Sequence, residues 1–124
     1  MGRVRGRGAP PQTRIPDAPL SRPVVIGALA ERDISEARTW FDEQEPGLGT
    51  RFFDGVRDTI NRIASNPGQY RVVFGDARRA PVKTFRYSVW FRIAPDSSIV
   101  VACLSDRRDL SLARRRALRP VEPS

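Results

Sequence analysis

The run "IVVACL" at residues 99–104 constrains the fold more than any other stretch of this chain: six apolar residues stand without a break, and "SDRRDL" follows at once. A short run this apolar is a strand buried on both faces, because a strand with one wet face alternates. The question it raises is why a buried strand should deliver arginines and aspartates at its tip.

The rest of the chain narrows the setting. Its 124 residues fit one domain. The single cysteine, Cys103, lies inside the apolar run, so an internal disulfide is excluded and a reducing, cytoplasmic setting is expected. It reads as a small core residue, since a catalytic thiol needs a base and the chain has no His. The same absence argues against most zinc sites, and neither metal nor cofactor is expected. No stretch approaches the ~20 apolar residues of a membrane span. Residues 1–22 lack the apolar core of a secretory signal; rich in Arg, Pro and Gly, they read as a disordered arm. The domain is assigned to 23–119, with a short tail at 120–124.

The net charge of +8 is unevenly spread. Residues 31–70 hold five basic and eight acidic residues, net −3; residues 71–124 hold twelve basic and five acidic, net +7. A one-sided basic field favours polyanions or an acidic protein partner.

Two hydrophobic periods divide the domain. "RPVVIGAL" (22–29) reads as a first strand. In "AERDISEARTWFDEQE" (30–45), Ile34, Ala37, Phe41 and neighbouring Trp40 form one helical stripe. In "TRFFDGVRDTINRIASN" (50–66), Phe52, Phe53, Val56, Ile60 and Ile63 form another. The four residues "PGLG" between them make an antiparallel helical hairpin. From there the period falls to 2. "RRAPVKTF" (78–85), "YSVWFRIA" (87–94) and "IVVACL" read as an antiparallel meander, with "PDSS" as a turn. "DLSLARRRALR" (109–119) reads as a short basic helix. The expected fold is α+β, ordered β-α-α-β-β-β, with an antiparallel sheet, the hairpin on one face and a short C-terminal helix.

This order, together with "GLGTRFFDGV", "RRAPVKTFRYSVWFRI" and "VVACLSDRRDL", resembles the RelE/ParE superfamily, the toxins of bacterial type II toxin–antitoxin modules, over roughly residues 24–116. The long helices joined by "PGLG" look like the ParE branch, the plasmid-stabilisation proteins that poison DNA gyrase. The RelE branch instead cleaves mRNA in the ribosome. The resemblance implies a cytoplasmic, non-membrane toxin in a heteromeric complex with an acidic antitoxin, and gyrase, or ribosome and mRNA, as target. A non-toxic relative that only binds a partner is a further alternative. Members commonly carry His at Ser105, Pro at Arg86 and Leu110, and Trp at Ala113; none of these is expected in the core. Without the His, the resemblance implies binding rather than acid–base chemistry.

Candidate residues follow from the sheet. Arg107, Arg108 and Asp109 stand at the end of a central strand, a rigid base for a binding group. Arg79, Arg86 and Arg92 come from neighbouring strands and, with Trp90, make the expected surface for target or antitoxin. Alternatively, Arg108 and Asp109 pair with each other or with Glu31 or Asp33, and the C-terminal helix covers Trp90. Were the chain a ribonuclease, Lys83 or Tyr87 would act as acid or base, with Arg79 and Arg107 on the phosphate.

Overall fold

In the computed structural model, which describes residues 22–107 and 110–119, the two helical stripes become α1 (Ala28–Gln44) and α2 (Leu48–Ser65). Ala30, Ile34 and Ala37 of α1 are buried, as are Phe52, Val56, Ile60 and Ile63 of α2, so the three-and-four spacing builds the interface as expected. Trp40 departs from that stripe: it is 52% exposed, and Phe41 beside it takes the inward place. The hairpin is tighter than "PGLG" implied, because α2 already begins at Leu48. Gly47 turns the chain at a φ of +90°, where a side chain would be strained. At Gly49 the helices touch: a Cβ there would meet the Arg38 carbonyl oxygen and the Asp42 carboxylate. The bare N–H of Gly49 instead donates to Asp42 Oδ1 at 2.8 Å.

Five strands form one sheet: β1 (Val24–Ile26), β2 (Val72–Phe74), β3 (Ala77–Val82), β4 (Tyr87–Ile93) and β5 (Ser98–Ser105), in the order β1-β5-β4-β3-β2. The α+β order matches the expectation. From β2 to β5 each strand is antiparallel to the next, while β1 lies parallel to β5, which makes the sheet mixed. Strand β2 was not anticipated; it reaches β3 through Gly75, whose φ is +55°.

Each face of the sheet carries its own core. Val89 and Phe91 of β4, with Val100 and Cys103 of β5, pack under α1 and α2. Trp90, Ala102 and Leu104 pack on the other face with Ala113 of α3 (Leu110–Leu118). Strand β5 is therefore covered on both sides, as its unbroken apolar run requires. Ala113, expected outside the core, is 3% exposed; its small side chain lets α3 sit directly over Trp90.

Strand β5 also contains a bulge. Phe91 pairs with Val100 while the adjacent Trp90 pairs with Ala102, so Val101 is the extra residue. Val101 and Ala102 consequently lie on the same face, toward α3.

Of the arm assigned to residues 1–22, only Arg22 is described. Its N–H donates to the Ala64 carbonyl at 3.0 Å, and its guanidinium binds the carbonyls of Ala94 and Ser97 in the β4–β5 turn. Residues 1–21, Arg108, Asp109 and the tail at 120–124 lie outside the described residues.

Candidate functional site

The bulge begins to answer the question raised by β5. Strand β1 pairs only as far as Val100, so beyond that point the edge of β5 has no neighbouring strand. The extra residue turns the Val101 carbonyl and the Cys103 N–H toward this empty edge. Two side chains fill it. Asp33 of α1 accepts the Cys103 N–H on Oδ2 at 3.0 Å, and Arg116 of α3 donates to the Val101 carbonyl at 3.4 Å. The two side chains also grip each other through both arms, at 2.7 and 3.0 Å. Their side chains are 8% and 14% exposed. Polar side chains thus take over the strand's backbone groups, and the cap ties α1, β5 and α3 together. Asp33 is engaged by Arg116; the pairing considered for Arg108 and Asp109 falls on residues outside those described.

The cationic candidates fall in three places. Arg79, on the α3 face, donates to Ser88 Oγ at 2.9 Å and pairs with Asp106 at 3.2 Å; Ser88 Oγ donates to Asp106 at 2.7 Å. Arg79 and Trp90 line a groove of about 710 Å³ with Tyr70, Val72, Leu110 and Ala113. Trp90 itself is 3% exposed, so the covered alternative holds and the free aromatic platform expected on this face is absent.

Arg86, Tyr87 and Arg107 line a second groove, of about 690 Å³, between α1 and the tips of β4 and β5. Arg92 stands apart from both, paired with Asp76 at 2.7 Å and donating to the Arg119 carbonyl at 3.3 Å. Lys83 lies exposed in the β3–β4 loop and lines neither groove. Tyr87 packs toward the helices and Arg79 lies on the opposite face, so no single groove gathers Lys83, Tyr87, Arg79 and Arg107.

Cys103 is buried as expected. Burial pushes its thiol up to about 12, and the Asp33 and Asp106 carboxylates add to the rise. The folded protein should resist iodoacetamide at pH 8 and be alkylated only on unfolding; rapid native alkylation, read by mass, would contradict this. The folded thiol holds its proton to higher pH than the unfolded one, whose ordinary value is 9.0, so its contribution lowers stability as pH rises from about 9 to 12. The loss is at most about 1.4 kcal/mol per pH unit, and Cys103→Ala should abolish it.

Sequence reasoning weighed Asp33 only as a partner for Arg108 or Asp109, and missed its hold on Cys103 and Arg116 as well as Ser88 and Asp106. One signal was available: Asp33 precedes Ala37 by four residues on the buried face of α1, where a lone carboxylate needs a partner. Among the described residues no group of three His, Cys, Asp or Glu is placed to hold a metal ion, and no helix is long and apolar enough to cross a membrane.

A family model described as the ParE toxin of the type II toxin-antitoxin system, parDE, matches residues 24–110, from β1 to the first residue of α3. No curated protein matches the chain.

Proposed function

The chain belongs to the ParE toxin family of type II toxin–antitoxin systems, with an antitoxin as its partner, and from that premise we propose that it arrests bacterial growth by poisoning DNA gyrase. The observation that carries this reading over mRNA cleavage is the separation of the candidate acid–base groups. Ribonuclease chemistry needs a base, an acid and a phosphate-binding charge around one atom. Here Tyr87 and Arg79 lie on opposite faces of the sheet, Arg79 is held by Asp106, and the chain has no His. A binder needs only shape and charge, and the helical hairpin and basic strand tips offer both.

The antitoxin fits this surface as an acidic segment. Arg79 and Arg92 are its proposed docking cations, and each already holds an aspartate, so an incoming carboxylate would exchange for Asp106 or Asp76. Such exchange steers encounter more than it adds affinity.

Induced without its antitoxin, the protein should stop growth. Added to purified gyrase with ATP and relaxed plasmid, it should abolish supercoiling or accumulate cleaved DNA. Intact supercoiling together with cleavage of mRNA on programmed ribosomes would move the assignment to the ribonuclease reading. Normal growth at confirmed expression would favour a non-toxic binding relative.

A further inference from the structure

The groove between α1 and the strand tips is lined by the one exposed indole among the described residues, Trp40, together with arginines that have no firm acidic partner. Trp40 stands edge-on against Phe41, ring centroids 5.0 Å apart, which braces it while half of its surface stays in solvent. Arg86 and Arg107 have no acidic partner among the described residues, unlike Arg79, Arg92 and Arg116, each of which holds an aspartate. Arg32 reaches only Glu36, at 4.0 Å, with both side chains about two-thirds exposed, a pair of little strength. Four arginines face two acids around the groove, and Asp33 and Arg116 already neutralise each other.

The loop that presents Arg86 is strained. Phe85 donates its N–H to the Val82 carbonyl at 3.4 Å, closing a turn in which Thr84 has φ +70°; Arg86 follows at +56°. Left-handed backbone is costly for a β-branched residue such as Thr84. The turn drives Phe85 into the aromatic core beside Phe41 and Phe52, and sets Arg86 at the groove. At about 690 Å³ the groove falls within the ~300–1,000 Å³ range of small-ligand sites.

We infer that this groove binds a nucleotide unit, with its base stacked on Trp40 and its phosphate held among Arg32, Arg86 and Arg107. Stacking platforms beside guanidinium groups are how single strands are held without sequence preference, and guanidinium forks match phosphate oxygens. An acidic peptide would satisfy the arginines but leave the indole bare; a nucleotide uses both. A free nucleotide and a single strand share this chemistry.

The test uses the full chain without gyrase, so its outcome is separate from the supercoiling assay. The probes are a fluorescein-labelled, 5′-phosphorylated oligothymidylate read by anisotropy, 5′-dAMP read by tryptophan quenching, and hexaglutamate as competitor. Saturable, salt-sensitive binding is expected, at least about tenfold weaker in Trp40→Leu and Arg107→Ala and unchanged in Arg57→Ala, an exposed α2 site that lines neither groove. Both weakened sites are exposed, and melting curves confirm folding; if Trp40→Leu fails to fold, Arg107→Ala and Arg86→Gly carry the test. Binding of dAMP assigns a free nucleotide, and binding of the oligomer alone assigns a strand; either supports the site. Absence of saturable binding, binding indifferent to Trp40 and Arg107, or equal competition by hexaglutamate would overturn it.

Discussion

Asp33→Ala should destabilise the protein by about 3–5 kcal/mol, the cost of breaking a buried ion pair from one side. The substitution leaves Arg116, 14% exposed, charged without its counterion, and strips the Cys103 N–H of its acceptor. A domain of this size loses roughly 4–8 °C of Tm per kcal/mol, so the midpoint should fall by more than ten degrees. The double variant Asp33→Ala, Arg116→Met should recover much of the loss, because it removes the stranded charge and keeps the apolar stem that packs α3 on β5. Urea titrations of the two single variants and the double variant measure the coupling. A single-variant loss below 1 kcal/mol would mean that the cap is ornamental and that solvent seals this edge equally well.

Phe52→Ala should cost a similar 3–5 kcal/mol for a different reason. Phe52 is fully buried, and its ring lies 4.9, 5.4 and 5.1 Å from those of Phe41, Phe85 and Tyr87. These rings come from α1, the β3–β4 loop and β4, so removing the central one opens a cavity bordered by three elements that cannot collapse together. Phe52→Leu keeps most of the volume and should lose markedly less; equal losses would show that the site repacks freely. Because the strained turn seats Phe85 against Phe52, this cavity should also loosen the loop bearing Arg86.

How much of this was legible in the sequence depended on whether a feature is periodic. The helices and the meander are written as repeats of 3.6 and 2, so α1, α2, β3, β4 and β5 were readable within a few residues. Strand β2 was not, since "VVF" is too short to show a period and runs directly into its turn. The bulge at Val101 left no trace because six consecutive apolar residues conceal which way each one faces. Trp40 and Phe41 are neighbours on a helix, and only packing decides which turns inward. The same holds for Trp90: alternation set it opposite Phe91, but whether that face was wet or covered depended on where α3 landed. Arg116 was indistinguishable from Arg114 and Arg115 in "ARRRA"; its role comes from a carboxylate 83 positions away.

That separation bears on the order in which the molecule assembles. The helical hairpin and the successive strand pairs close over short stretches of chain, whereas the seal on β5 waits for positions 33 and 116 to meet. Loop-closure entropy makes such distant encounters late ones. Until then a folding chain carries a half-built sheet with the Val101 carbonyl unclaimed and Trp90 uncovered, the kind of open edge that pairs readily with another copy. During folding the ion pair is thus a deadline: the longer α3 takes to dock, the longer each chain is exposed to misassembly with its neighbours.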